Sequence, residues 1–225
     1  MNTGSMLART RLDTVVIGGG AAGMMAALQA AWAGAQVVLL EKNEKLGKKI
    51  YITGKGRCNV TNACDLEDFF KQVPRNSKFL NAAVRQFGYE DVTSLLEMLG
   101  TPTKVERGNR VFPESDKASD VTRAFARGMK DAGVQVELNT GVKAVLKEED
   151  GFAIELERGG TLHARTVVVA TGGLSYPSTG STGDGYVFAK ENGHPATPFC
   201  GSLVGLTMDE KWPKLLMGLS LKNVR

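Results

Sequence analysis

Between residues 15 and 23 the chain reads Val15-Val16-Ile17-Gly18-Gly19-Gly20-Ala21-Ala22-Gly23, an apolar run that enters three glycines and leaves in an alanine-rich stretch. Few local patterns restrict a fold as strongly. The Gly18-x-Gly20-x-x-Gly23 spacing binds a dinucleotide only where a buried strand, a tight turn and a helix N-terminus follow one another within a βαβ unit of about thirty residues. The flanks meet that condition. Residues 12–17 are an apolar run that stops at glycine, as a buried parallel strand does. Residues 21–33 are rich in Ala and Met and lack β-branched side chains, which predicts a helix packed closely on a sheet, with Gly34 placed to end it. Residues 36–41 predict a second buried strand that closes on Glu41.

Each part of the motif has a physical task. Gly18 permits the turn. Gly20 has no side chain, so a pyrophosphate can approach the backbone. Gly23 lets the helix pack against the strand. The first amides of the helix, from Ala21 and Ala22 onward, point at the phosphates with the helix dipole behind them. Glu41 can accept hydrogen bonds from ribose hydroxyls and opposes a 2′-phosphate, which disfavours NADP here. FAD and NAD both remain open at this point. A glycine-rich helix start that binds nothing is the alternative, and the agreement of strand, loop, helix and acid argues against it.

Beyond Glu41, residues 42–63 read as a long, basic, glycine-punctuated loop, and long loops inside compact domains are usually functional or disordered. Helices are predicted over 66–72, 78–87, 90–99 and 116–132, with a hairpin of 104–106 and 110–112 across Arg107-Gly108-Asn109. Residues 134–138, 142–148, 152–158 and 161–164 alternate as antiparallel strands do, with Gly151 and Gly159-Gly160 as turns. A very apolar strand, 166–170, then runs into Thr171-Gly172-Gly173. A second glycine-rich stretch, 178–185, opens a helix over 186–191. The fold class is therefore α/β, with a βαβ start and an antiparallel meander. Two features favour FAD over NAD: the basic loop, which can run along a pyrophosphate, and the late glycine turn, which returns the chain to the cofactor in two-dinucleotide flavoproteins.

Within the loop, Arg57 is the cation expected to meet phosphate or the electron-rich pyrimidine edge of a flavin. Lys42 and Lys49 are further cofactor-binding candidates, although Lys48, Lys49 and Lys55 read equally well as solvated surface. Asn59, Thr61 and Asn62 can bond the cofactor or cap their own loop. Asp184 can touch flavin or phosphate, or serve as an N-cap. No catalytic acid–base pair is assignable. The two catalytic candidates are Tyr176, as a proton donor, and Cys58, whose neighbour Arg57 would lower its pKa; a buried packing role is the alternative for Cys58.

Composition narrows the setting. The chain has 225 residues, 42% of them hydrophobic, enough for one good core or for a large domain plus a small piece. With 27 glycines and only 7% aromatics, it suits an α/β protein with nucleotide loops. The net charge is +4 with basic and acidic residues intermixed, so no nucleic-acid partner is expected, and the partner class is a small-molecule substrate. Cys58, Cys64 and Cys200 are an odd, irregular set, which argues for a reducing, cytoplasmic compartment; with His163 and His194 far apart, no metal site is expected. No run of eighteen apolar residues predicts a membrane span, and residues 1–11 read as a disordered leader. Oligomeric state is not legible.

Four blocks carry a resemblance to a known family: residues 18–23; Gly54-x-Gly56-Arg57-Cys58-Asn59-Val60-Thr61-Asn62; Val111-Phe112-Pro113-x-Ser115-Asp116-Lys117-Ala118; and Ala170-Thr171-Gly172-Gly173-x-Ser175-Tyr176-Pro177. Together they resemble the BaiN-like flavoproteins, also labelled aminoacetone-oxidase-family FAD-binding enzymes. Lys55 departs from the pattern, standing where that family commonly has glycine. The resemblance implies a Rossmann-like, glutathione-reductase-type FAD domain interrupted by an inserted β-rich domain and completed by a C-terminal return segment. It divides the chain into an incomplete FAD domain over 12–197 and the start of an inserted substrate domain over 198–225. The return segment is absent from the sequence, so a fragment is expected. The resemblance also implies that the Val142 backbone meets the adenine, and that hydride passes through flavin N5 with NAD(P)H as donor and a small or steroid-like substrate as acceptor. The competing readings are a non-catalytic dinucleotide-binding fragment and an NAD-only dehydrogenase.

Overall fold

The structure is a computed structural model that describes residues 11–201 and 208–219. The expected leader over residues 1–11 lies, except for Arg11, outside the described residues. The chain divides into two compact units, Met1–Pro195 and Ala196–Arg225. In the first, β1 (Leu12–Ile17), α1 (Ala21–Trp32) and β2 (Val37–Leu40) form the expected βαβ start. A short 3₁₀ stretch (Ile50–Gly56) leads to β3 (Thr61–Asn62), α2 (Leu66–Lys71), a 3₁₀ turn (Ser77–Leu80), α3 (Asn81–Gln86) and α4 (Tyr89–Met98). Then come β4 (Thr103–Glu106), β5 (Arg110–Pro113), α5 (Ala118–Asp131), β6 (Gln135–Glu137), β7 (Val142–Glu148), β8 (Gly151–Leu156), β9 (Thr161–Val169) and α6 (Asp184–Glu191). The second unit contains α7 (Trp212–Leu215).

One six-stranded sheet, ordered β6-β2-β1-β9-β8-β7, carries the fold. The strands β6, β2, β1 and β9 are parallel, and β9-β8-β7 is an antiparallel meander. The central strands β1 and β2 are largely apolar and buried because both of their faces are covered. Side chains alternate across the sheet. Val16 and Leu39 pack with Met24 and Leu28 of α1 and Met129 of α5 on one face. Val15, Ile17, Val38 and Leu40 pack with Ile154 and Phe188 on the other.

Two departures from expectation have clear causes. The strands expected over 161–164 and 166–170 are one strand, β9. Its first half pairs with β8, and its second half, from Ala164 to Val169, pairs with β1. Arg165, which lies between the two expected segments, is exposed and pairs with Asp13 at 3.4 Å. The loop expected over 42–63 ends in a strand, because Thr61 and Asn62 pair with Val111 and Arg110 on the edge of the β4–β5 hairpin. That three-stranded sheet, β3-β5-β4, is separate from the main one.

Candidate dinucleotide site

At the carboxyl edge of β1, β2 and β9 a cleft of about 530 Å3 opens between Gly18, Glu41 and Ala170. This edge is where open α/β sheets bind ligands, and the volume lies in the roughly 300–1,000 Å3 range of small-molecule sites. Its floor is the glycine turn. Gly18 has φ +107°, and a Cβ there would sit 2.4 Å from the Ala170 carbonyl oxygen. A Cβ on Gly23 would sit 1.7 Å from the Gly18 oxygen, so α1 can approach β1 only without it. A Cβ on Gly20 would meet nothing within 4 Å, because it would project into the cleft. Gly20 is also the N-cap of α1. No side chain caps that helix, and its first turn has no acidic residue, so its leading amides face the cleft unneutralised. Open room above Gly20, free helix amides and nearby lysines fit the pyrophosphate of a dinucleotide.

Glu41 is 7% exposed and holds the turn in shape. Its Oε2 accepts the Gly19 N–H at 2.7 Å. Its Oε1 accepts the Asn43 backbone N–H at 2.7 Å and Asn43 Nδ2 at 2.6 Å. A carboxylate offers about four lone-pair sites, so acceptor capacity remains for a ribose hydroxyl.

Lys42 and Lys49 line the cleft and tie its two glycine-rich sides together. Lys42 Nζ donates to Thr182 Oγ1 at 2.6 Å and Asp184 Oδ2 at 2.7 Å. Lys49 Nζ donates to the Ser175 oxygen at 2.7 Å and Ser181 Oγ at 2.6 Å. Gly183, at φ +92°, is the N-cap of α6, so Asp184 is the first helical residue and not the cap. Burial disfavours the Asp184 charge, but the hydrogen bonds from Lys42 and Thr182 and the Lys42 charge outweigh it and hold the carboxyl below its usual range. A lowered folded pKa gives stability that is complete above the ordinary aspartate value of 3.8 and is lost as pH falls through the lower folded value. Asp184→Asn is therefore expected to lower stability by about 1 kcal/mol at pH 6. Unfolding curves of the two proteins should converge below pH 4. Thr171 Oγ1 accepts the Gly185 N–H at 3.1 Å, which fixes α6 against the return turn. Thr171, Gly172, Ala21, Ala22 and Val142 also line the cleft, with Val142 beside Thr140.

Arg57, Cys58, Asn59, Thr61 and Tyr176 lie apart from this lining, and Gly23 sits beneath it. Arg57 is bound to Asp116, with Nε–Oδ1 at 2.8 Å, and to Glu106, and its guanidinium stacks 4.1 Å from the Phe112 ring centroid. Lys104 joins the same cluster at 2.7 Å from Asp116. The carboxyl groups of Glu106 and Asp116 are held below their usual range, first by hydrogen bonds from Arg57 and Lys104 respectively. With its amide oriented so that both of its ends are satisfied, Asn59 Nδ2 donates to the Val111 and Thr61 carbonyls at 3.3 and 3.2 Å, the loop-capping alternative. Thr61 is a rung of β3. Tyr176 is 66% exposed. Cys58 reverses its expectation: burial pushes the thiol pKa up, and Arg57 points away into its carboxylate cluster.

The backbone at Lys55 favours the glycine that the resembled family commonly has there. Lys55 sits at φ +58° between Gly54 at +55° and Gly56 at +88°, a left-handed run that costs a side-chain residue about 1–2 kcal/mol. Lys55→Gly relieves that and gives back about 0.5–1 kcal/mol as unfolded-chain entropy. A net stabilisation of about 0.5–1 kcal/mol is expected in denaturant melts. Asn43, Thr179, Gly180 and Ser181 line the cleft without having been singled out. Only the position of Asn43, two residues after Glu41, hinted at its role. Among the described residues no group of His, Cys, Asp and Glu could hold a metal, and no helix is long and apolar enough to cross a membrane.

A family model described as "HI0933-like protein Rossmann domain" matches residues 12–223. The chain is 37% identical over 194 residues to a 3-dehydro-bile acid delta(4,6)-reductase of Clostridium scindens, covering 85% of this chain and 46% of that protein. It is 32% identical over 198 residues to a ribosomal RNA dihydrouridine synthase of Escherichia coli K12, covering 88% and 48%. The chain thus spans about half the length of these curated relatives. A flavocytochrome c3 fumarate reductase in its open conformation superposes with a TM-score of 0.55 at 22% identity, covering 83% of this chain and 41% of that one, a likeness of fold.

Proposed function

The chain belongs to the HI0933-like family of FAD-dependent Rossmann proteins, and from that premise we propose that it binds FAD in the cleft above Gly20 and serves as a reductase. The observation that carries the proposal is the uncapped α1 N-terminus facing an open cleft at the carboxyl edge of the parallel strands.

Gly18, Gly20, Ala21, Ala22 and Lys49 would hold the pyrophosphate, Glu41 the ribose, the Val142 backbone the adenine, and Thr171, Gly172 and Asp184 the far side, with Gly23 seating the helix beneath. When bound, FAD supplies hydride transfer through N5. The chain's own part is to orient the cofactor, neutralise its phosphates and exclude water from the turn. NAD(P)H is proposed as donor, and a small or steroid-like unsaturated ring as acceptor. The bile-acid reductase, at 37% identity, supports that acceptor class, and the BaiN-like branch is proposed from the sequence blocks alone. Residues 12–197 are proposed as the cofactor domain and 198–225 as the start of a substrate domain. A cytoplasmic setting is proposed, supported by the cysteine usage.

Reconstitution tests the proposal. The chain incubated with FAD and desalted should keep the flavin's visible band, and anaerobic NADH or NADPH should bleach it. A protein that binds NAD but stays colourless after FAD would favour the NAD-only dehydrogenase and overturn the proposal. A yellow protein that no nicotinamide bleaches would overturn the donor.

A further inference from the structure

Glu41 holds only one side of the glycine turn. The other side is held from α5, by a residue outside the cleft lining. Gly19 donates its N–H to Glu41 Oε2 at 2.7 Å, and its carbonyl accepts the Gly47 N–H at 2.8 Å. Leu46 covers it as well, since a Cβ on Gly19 would sit 2.5 Å from Leu46 Cδ2. The Gly19 carbonyl and the Gly20 N–H belong to one planar trans peptide and point in opposite directions. Whatever fixes Gly47 therefore fixes the direction of the Gly20 N–H.

Gly47, at φ +66°, lies directly on α5: a Cβ there would sit 2.4 Å from Thr122 Cγ2 and 3.3 Å from Ile50 Cδ1. Thr122 is buried, and its hydroxyl makes two hydrogen bonds. Oγ1 donates to the Ser119 carbonyl at 3.0 Å, which uses its one proton, so the Tyr51 hydroxyl, 2.9 Å away, is the donor of the second bond. The Tyr51 ring lies under Lys45, with Nζ 4.5 Å from its centroid. Ile50 donates its N–H to the Gly47 carbonyl at 2.7 Å. Residues 47–51 are thus pinned to α5 at both ends. Lys49, whose Nζ reaches Ser175 and Ser181, is carried between the pins.

We infer that Thr122 is a positioning residue of the dinucleotide site, acting with Tyr51 through Gly47 on the Gly19–Gly20 peptide and through the same segment on Lys49. The inference rests on the proposal that FAD binds above Gly20. A hydrogen bond weakens steeply as its angle departs from linear. Loosening residues 47–51 therefore weakens the ligand without removing any group that touches it. Valine keeps the methyl beneath Gly47, and phenylalanine keeps the ring beneath Lys45. Thr122→Val and Tyr51→Phe thus remove the hydrogen bond and leave the packing in place.

Amide hydrogen exchange of the full chain without FAD, and equilibrium titration with FAD, test the inference on the parent, both single variants and the double variant. The Gly47 amide should exchange about three- to tenfold faster in each variant, while the amides of β7 and β8 keep their parent rates. FAD affinity should fall about three- to tenfold in each single variant. It should fall no further in the double variant, because the two changes remove one bond. The inference is overturned if Gly47 exchanges at the parent rate, if the variants bind FAD as tightly as a parent that binds it, or if the two losses add in the double variant. Exchange raised equally in β7 and β8 would reduce Thr122 to a residue of general stability and overturn it too. A folded parent that does not bind FAD removes the cofactor proposal, and the Gly47 exchange alone then decides whether Thr122 positions the turn.

Discussion

Gly23→Ala is expected to cost about 3 kcal/mol of stability, while Gly20→Ala, three residues earlier in the same motif, should cost almost none. The reason is what each new methyl would meet. On Gly23 it would sit 1.7 Å from the Gly18 carbonyl oxygen, a backbone atom that cannot move without shifting α1 off β1. Overpacking against a fixed neighbour costs about 1–3 kcal/mol, and this contact belongs at the upper end. In a domain of this size the melting temperature should fall by about 6–12 °C. On Gly20 the methyl meets nothing within 4 Å. The backbone there is extended, with φ −78° and ψ −172°, so alanine fits it without strain. The same methyl fills the room proposed for the pyrophosphate, so FAD affinity should fall about 5- to 150-fold. One substitution thus reads the scaffold and the other reads the ligand.

Glu41→Ala is expected to do both. Its carboxylate is the acceptor for the Gly19 N–H and for two Asn43 donors. Each donor left without a partner costs about 1–3 kcal/mol; Asn43 can turn partly to solvent and Gly19 cannot. A loss of about 2–4 kcal/mol is expected in chemical denaturation. Glu41→Gln should recover little of it, because a carboxamide turns one NH2 group toward amides that themselves donate. Both variants should bind FAD more weakly than the parent, through the lost ribose acceptor and the loosened turn.

The glycine turn was readable in the sequence because every requirement it carries is local. A strand must end, a backbone must pass through φ +107°, and a helix must start without a side chain in the way. The meander was readable for a similar reason, since alternation with period two survives in the sequence. What escaped depends on partners distant along the chain. Lys42 and Asp184 are 142 residues apart and meet only once the sheet has formed. Arg57 looked like a phosphate ligand because its neighbours in sequence are basic and glycine-rich. Its partners in space, Glu106 and Asp116, come from the hairpin and from the turn before α5. Cys58 followed from the same error, since the cation expected to lower its pKa is directed elsewhere. The fusion of two expected strands into β9 was hidden because a strand that changes partners halfway leaves no mark in its own residues beyond Arg165.

The central claim is that the space above Gly20 holds the pyrophosphate of FAD. Equilibrium titration of FAD, followed by quenching of its fluorescence, into the parent chain and Gly20→Ala in parallel tests it most directly. Saturable binding of one FAD per chain to the parent, weakened at least about fivefold in a variant with an unchanged melting temperature, is the predicted result. Equal FAD affinity in two equally stable proteins, or no binding to the folded parent, would contradict it.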